Sequence, residues 1–227
     1  MREGPVEIEL EDGWIEAFVA CPDEAGRRPP VILLADDGAD LAALAAAARR
    51  LAGEGFFVLA PAAPDEPVEE AFDAWLDYLA GERLTDDTRV GVLGYGAGAG
   101  LALRLAAVHG ERIAAVAAFD PAPLAQEDLH HIAGCLNAVV HLGFSDRSPA
   151  VEPGGAGLEA ELRRAGVDFE LQAYAAEAGF QPPGGPGTDA AAEDLHWQGL
   201  TELFRRTLAV AEVDTADRTA TISSSGY

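Results

Sequence analysis

The stretch that most constrains the fold is residues 89–109, RVGVLGYGAGAGLALRLAAVH, in which a short apolar run enters a glycine-rich turn. Val90, Val92 and Leu93 suit a strand that is buried on both faces, because parallel strands covered by helices read as continuous apolar runs. Residues 101–108 are strong helix formers with a single charged side chain. The stretch therefore predicts a strand, a tight turn and a helix, and the turn is where chemistry is expected.

The turn residues fit two functional patterns. One is a nucleophile elbow, G-x-nucleophile-x-G, whose middle residue adopts a strained conformation and projects its side chain above the sheet. Residues 94–98 match this pattern with Gly96 at the nucleophile position, so the attacking atom would be missing. The other is the dinucleotide fingerprint G-x-G-x-x-G/A, which Gly94, Gly96 and Ala99 satisfy. Close packing of strand on helix also favours glycine, so the turn alone leaves these interpretations open.

Charge and composition exclude several classes of function. A formal net charge of −24 disfavours binding to nucleic acid phosphates or to an anionic membrane surface. The start of the chain, MREGPVEIELEDG, lacks an apolar signal region, and no segment approaches the roughly 20 apolar residues that span a bilayer. Cys21 and Cys135 are too few for a disulfide framework, and no cysteine or histidine spacing indicates a metal site. We therefore expect a cytoplasmic protein that binds no nucleic acid, membrane, metal or cofactor.

The rest of the chain alternates strand and helix patterns. Residues 6–10 and 14–20 predict an antiparallel hairpin around an acidic turn. Further apolar strands are predicted at residues 31–35, 56–60, 113–119, 138–142 and 167–173. Further helices are predicted at residues 40–52, 68–79, 158–165 and 189–210. Residues 120–135 are interpreted as a proline-rich connection. We expect one domain over residues 1–210 and a polar tail at 211–227, with a mostly parallel sheet covered on both faces.

Four segments in order, PPVILLADDG, RRLAGEGFFVLAP, RVGVLGYGAGAG and AVVHLGFSD, together resemble the dienelactone hydrolase family. The resemblance covers residues 6–209. It implies an α/β fold of the α/β-hydrolase type, with a mostly parallel central sheet, helices on both faces and an N-terminal antiparallel hairpin. It also implies opening of lactones and related esters by a Cys, His and Asp triad.

Only one member of that triad matches residue by residue. Asp146, in HLGFSD, fits the acid that orients the histidine. Gly96 stands at the cysteine position, and Phe180 stands where the histidine is expected after the last strand. Asp36 represents, as a shorter acid, the carboxylate expected in the first strand-to-helix turn. The segment from which the family draws a substrate-binding arginine is shortened to PAAPDEP and contains none.

The preferred interpretation is a non-hydrolytic pseudoenzyme of this family. Above the elbow we expect a pocket for a small molecule, with two oxyanion-type amides contributed by Ala97 and Asp37. Its expected lining residues are Asp36, Asp37, Tyr95, Gly96, Ala97, Ser145 and Phe180. A protein partner and the oligomeric state are left open by the sequence.

Two other classes of function remain open at this point. One is an active ester or lactone hydrolase that uses displaced catalytic groups, for which Ser145 and Cys135 are the candidates. The other is a nucleotide-binding oxidoreductase, in which Asp120, at the end of the strand after the glycine-rich turn, would meet a ribose hydroxyl.

Overall fold

The computed structural model describes residues 1–11, 13–36, 41–62, 68–86, 89–122, 124–145, 156–174 and 190–208. The strands are β1 Arg2–Leu10, β2 Gly13–Cys21, β3 Pro30–Leu34, β4 Phe57–Pro61, β5 Val90–Tyr95, β6 Ile113–Phe119, β7 Val139–Ser145 and β8 Phe169–Tyr174. The helices are α1 Leu41–Gly53, α2 Val68–Gly81, α3 Ala97–Val108, α4 Gln126–Cys135, α5 Ala156–Ala165 and α6 Ala190–Thr207.

The described strands form one eight-stranded sheet in the order β1-β2-β4-β3-β5-β6-β7-β8. The predicted hairpin is present, since β1 pairs antiparallel with β2, and β2 pairs antiparallel with β4. The remaining pairs, from β4 through β3 and β5 to β8, are parallel. The hairpin therefore extends one side of a parallel sheet, and β5 lies near its centre.

Burial of the central strands explains why their sequences are continuous apolar runs. Every residue of β3, β4, β5 and β6 is buried, because helices cover both faces of the sheet. One core cluster contains residues of α2, α3, α4 and α5, and the other contains residues of α1 and α6. The arrangement confirms the predicted fold class.

One prediction about local structure is wrong. Residues 126–135 form α4, whereas the sequence was interpreted as a proline-rich connection. Leu129, Ile132 and Ala133 supply its buried face. This apolar stripe is short and lies among polar residues, so the sequence pattern did not indicate a helix. The predicted tail, 211–227, lies outside the described residues. Within the described part of the chain, no helix has the length and apolar character needed to cross a membrane.

Parallel register brings distant residues together at the carboxyl edge of the sheet. Leu34 of β3 lies beside Gly94 of β5. The segments that follow these two strands therefore begin next to each other. Two residues beyond this pair are Asp36 and Gly96. Candidate site residues that are about 60 positions apart in sequence are therefore neighbours in space.

Close packing of α3 onto the sheet leads to a stability prediction. A Cβ atom added to Gly98 would lie 2.6 Å from the carbonyl carbon of Leu34, so Gly98→Ala should lower the free energy of unfolding by about 2 to 3 kcal/mol. Gly134→Ala is a matched control in α4, where an added Cβ meets nothing within 4 Å; it should raise that free energy by up to about 1 kcal/mol. Urea unfolding of both variants measures the difference. Equal stabilities would contradict the packing argument.

Candidate functional site

The turn between β5 and α3 has the geometry of a nucleophile elbow. Gly96, the only residue between the two elements, has φ 58° and ψ −119°. Residues other than glycine rarely adopt this backbone conformation. Its amide donates to the carbonyl oxygen of Phe119 on β6, at 2.9 Å. The sharp turn is therefore anchored to the neighbouring strand, and Gly96 is half-buried at its apex.

The carboxylate of Asp36 lies directly over the elbow. One of its oxygens, Oδ1, accepts a hydrogen bond from the backbone amide of Ala97, the first residue of α3. A Cβ atom added to Gly96 would lie 2.6 Å from the Asp36 Cγ and still closer to both carboxylate oxygens. Asp36 therefore occupies the space that a nucleophile side chain on residue 96 would need.

The same carboxylate accepts from the amide that the sequence predicted as an oxyanion donor. Gly96, as the N-cap of α3, has no side chain to cap the helix, and the first turn of α3 contains no acidic residue. The amides of Ala99 and Gly100 both donate to the carbonyl oxygen of Gly96, at 3.2 and 3.4 Å. Asp36, two residues beyond the end of β3, thus supplies the negative charge that the N-terminus of α3 favours.

The sequence predicted that Tyr95 lines a pocket above the elbow, but the structure places it elsewhere. Its side chain is only 1% exposed and points to the opposite face of the sheet, under α6. There the phenol oxygen lies 2.9 Å from Nε2 of His196, and the ring stacks on Phe119 with the centroids 5.6 Å apart. Side chains alternate along a strand, so Tyr95 faces away from the helix that its neighbour Gly96 introduces.

Beneath α6, Tyr95 belongs to a buried polar cluster that the sequence did not reveal. Nε2 of His141 on β7 lies 3.1 Å from the phenol oxygen of Tyr174 on β8. The ring of His196 packs edge-on against Phe119, with the centroids 4.1 Å apart. His141 and His196 are only 4% and 2% exposed. We name this group, His141, His196, Tyr95 and Tyr174, the α6 cluster.

Burial controls the protonation of the α6 cluster. Burial, with smaller contributions from the charges of His141 and Arg50, lowers the pKa of His196 to about 3. It also lowers the pKa of His141, and the nearby carboxylate of Glu170 opposes that change. Burial raises the pKa of Tyr174 to about 12. At neutral pH the whole cluster is therefore uncharged.

Asp120 fixes the end of β7. Its backbone has φ 44°, the one positive value among the described residues other than glycine, and aspartate tolerates that conformation better than most side chains. Its Oδ1 accepts from the amide of Ser145 at 2.8 Å, and its own amide donates to the carbonyl oxygen of Gly143, also at 2.8 Å. The carboxylate thus positions the amide at the end of β7, and the ribose contact considered from sequence stays a prediction.

The candidate displaced nucleophiles are poorly placed. The side chain of Ser145 is completely buried, and its hydroxyl has no hydrogen-bond partner within the described part of the chain. Cys135 ends α4, which precedes β7, so the thiol lies near the amino ends of the parallel strands, opposite the elbow. Cys21 lies at the same edge, because its neighbour Ala20 pairs with Val58 at the start of β4.

Four of the five histidines also lie away from the elbow. His141 and His196 belong to the α6 cluster, and His109 follows the last residue of α3. His130, on α4, lies 3.3 Å from the carboxylate of Glu161 on α5. None of these contacts brings an imidazole to Gly96 or Ala97.

Three of the expected site residues, Asp37, Asp146 and Phe180, lie outside the described residues. Of the others, the structure brings Asp36, Gly96 and Ala97 together. It places the side chains of Tyr95 and Ser145 in the interior of the protein.

A sheet of this strand order, with its hairpin and its central elbow, defines the α/β-hydrolase class of fold. Solved structures with this architecture include a putative dienelactone hydrolase from Klebsiella pneumoniae, with a TM-score of 0.77 and 22% sequence identity, covering 90% of this chain and 98% of that one. A dienelactone-hydrolase-like promiscuous phosphotriesterase from metagenomic libraries gives a TM-score of 0.75 at 22% identity, covering 91% and 98%. A dienelactone hydrolase from Anabaena variabilis gives 0.67 at 22% identity, also covering 91% and 98%.

The model of the dienelactone hydrolase family matches residues 62–208. The chain therefore belongs to the dienelactone hydrolase family. No match to this sequence was found among curated proteins.

Proposed function

We propose that this protein is a non-hydrolytic member of the dienelactone hydrolase family, which uses the elbow region to bind a small molecule or a protein partner. The observation that supports the proposal is the combination of Gly96 at the nucleophile position with the carboxylate of Asp36 above it. Hydrolysis of an ester by this fold needs a nucleophile at the elbow and a free amide for the oxyanion. Residue 96 lacks the first, and the Asp36 contact engages the amide of Ala97.

Other residues of the predicted site agree with this proposal. Phe180, at the histidine position of the family, has no group that can accept a proton. Asp146 would then have no imidazole to orient, and we propose that it contributes only charge to the site. Removing triad members leaves the binding and oxyanion contributions of a hydrolase in place, and here the oxyanion contribution is also blocked.

The first test is turnover. We expect the purified protein to hydrolyse p-nitrophenyl acetate and dienelactone no faster than the heat-denatured protein does. Intact-mass measurement after exposure to a fluorophosphonate should show no adduct, because the described serine nearest the site, Ser145, is inaccessible. The measurements are the initial rates and the mass of the intact chain.

Matched variants make this test decisive. Turnover that is abolished by Ser145→Ala or by Cys135→Ala would overturn the proposal and identify the displaced nucleophile. Turnover that survives both substitutions would overturn it as well, and peptide mapping of the trapped adduct would then identify the reacting residue.

A further inference from the structure

The two edges of the sheet differ in how well they are protected from pairing with another strand. Among the described strands, β1 and β8 lie at the two ends of the sheet. An edge strand presents unpaired backbone N–H and C=O groups, and natural proteins protect such edges with charged side chains and proline. β1 has both kinds of protection, since it contains Pro5 and three glutamates. β8, with the sequence FELQAY, contains a single charged residue, Glu170.

The edge at β8 is exposed and carries little net charge. Residues 170–173 are all exposed, and Leu171 is 44% exposed. Glu170 forms an ion pair with Arg206 of α6 at 3.3 Å, so the charge on the strand is already compensated. The adjoining helix α5 has two glutamates and two arginines, whereas α2, which contacts β1, has four acidic residues and no basic one. A second strand can therefore approach β8 without meeting a block of one charge.

Every second residue of β8 directs its backbone groups away from β7. The amide of Val140 on β7 donates to the carbonyl oxygen of Asp168 at 2.9 Å. Consecutive residues of a strand direct their N–H and C=O groups to opposite sides, so the odd-numbered residues of β8, Leu171 and Ala173 among them, present theirs to the outer edge. The side-chain amide of Gln172 donates to the carbonyl oxygen of Ala173 at 2.9 Å, in agreement with this orientation.

The outward groups of β8 match the same groups of a second copy. In an antiparallel pair centred on Leu171, the two Leu171 residues exchange backbone hydrogen bonds, and Phe169 of each copy lies opposite Ala173 of the other. The cross-strand neighbours on that face are then apolar. On the opposite face Glu170 lies across from Gln172, so no like charges meet. A two-fold axis through this register therefore makes the edge complementary to itself.

We propose that two copies of this chain form a homodimer in which their β8 strands pair antiparallel about Leu171, joining the two sheets into one. This interface is independent of the proposed binding function and lies in a different part of the protein. Both copies carry a net charge of −24 and repel each other at long range, and a nearly neutral edge limits that repulsion at the point of contact. Pairing of six residues is a small contact, so we expect a reversible dimer whose population depends on concentration.

Sedimentation equilibrium over a range of protein concentrations measures the association. We expect the average mass to rise from that of one chain towards that of two chains. Raising the ionic strength from about 0.01 M to about 0.15 M should strengthen the dimer, because salt screens the repulsion between two acidic chains. Leu171→Glu places two carboxylates opposite each other and should weaken the dimer about tenfold or more. Val108→Glu, at the exposed last residue of α3, is the matched control and should leave the dimer unchanged.

Cysteine cross-linking tests the register directly. The two Cα atoms of a hydrogen-bonded antiparallel pair are about 5.5 Å apart, within the range that a disulfide spans. In a background with Cys21→Ala and Cys135→Ala, Leu171→Cys should therefore form a disulfide-linked dimer on oxidation with copper phenanthroline. Gln172→Cys is the control for register, because its two copies would lie about 7 to 8 Å apart in this pairing, beyond the reach of an unstrained disulfide.

Hydrogen exchange separates pairing between copies from pairing within one chain. We expect the Leu171 amide to be protected at high concentration and to exchange rapidly on dilution. Protection that persists in the monomer would mean that a segment of the same chain pairs with β8, and it would overturn the proposed dimer. A chain that stays monomeric at every concentration, a dimer unaffected by Leu171→Glu, or cross-linking at position 172 in preference to 171 would overturn it as well. None of these measurements involves ester turnover, so the proposed function is tested separately.

Discussion

The free energy of unfolding is expected to decrease steeply as the pH falls from about 6.5 towards about 3, because the α6 cluster holds two histidines in their neutral form. His196 is the stronger contributor, since burial lowers its pKa to about 3. The unfolded chain takes up a proton on this imidazole near the ordinary pKa of about 6.5, but the folded protein does not. The stability that depends on neutral His196 is therefore complete above that range and is lost as the pH falls through it.

The effect is large compared with the stability of an ordinary domain. A difference of a few pKa units between the folded and unfolded states corresponds to a loss of on the order of 4 kcal/mol from His196 alone. His141 adds to the loss in the same direction, since its pKa is also lowered by burial. Domains of this kind are stable by only about 5 to 15 kcal/mol, so we expect α6 to detach or the protein to unfold in mild acid.

The measurement is urea unfolding at several pH values, followed by tryptophan fluorescence, to which Trp197 contributes together with Trp14 and Trp75. Trp197 follows His196 directly and is only 4% exposed. His196→Gln retains a hydrogen-bonding side chain for Tyr95 but cannot be protonated, so around pH 5 the slope of unfolding free energy against pH should fall by about 1.4 kcal/mol per unit. His130→Gln, at an exposed position on α4, is the matched control. An unchanged slope for His196→Gln would mean that this histidine is protonated in the folded protein.

Introducing a thiol at the elbow should produce a cysteine whose reactivity is set by Asp36. In a background with Cys21→Ala and Cys135→Ala, the Gly96→Cys thiol would lie against the Asp36 carboxylate, since even a Cβ atom comes within 2.6 Å of its Cγ. A neighbouring negative charge disfavours the thiolate and raises the pKa of the thiol. Adding Asp36→Ala leaves the N-terminus of α3 as the main electrostatic influence, and that lowers the thiol pKa.

The expected difference between these two variants is about one to two pKa units, or roughly tenfold or more in the rate of iodoacetamide alkylation near pH 7. The alkylation rate against pH gives the thiol pKa directly. Stability offers a second measurement. Gly96→Cys should lower the free energy of unfolding more in the presence of Asp36 than after Asp36→Ala, and a double-mutant cycle measures this coupling. Pairing Gly96→Cys with Asp77→Ala provides the control. Equal thiol pKa values with and without Asp36 would show that the carboxylate does not remain over the elbow.

Much of the architecture could be predicted from local patterns. Apolar runs such as residues 113–119 are too short for a helix, and helices with apolar spacing alternate with them, so a covered parallel sheet is the consistent solution. The glycine-rich turn predicted the elbow, because only glycine adopts the backbone of residue 96 without strain. Helix α4 was missed because its apolar stripe is short and lies in a polar, proline-flanked segment.

The site was predictable in its chemistry but not in its contacts. The sequence by itself determined that residues 96 and 180 are not a nucleophile and a base, because side-chain chemistry is a property of each residue alone. Three other features were decided only by the tertiary structure. The carboxylate of Asp36 reaches Ala97, Tyr95 faces α6, and two buried histidines meet two tyrosines. Each depends on the register of parallel strands or on the docking of α6 against the sheet, and such long-range pairing leaves no trace in a local sequence pattern.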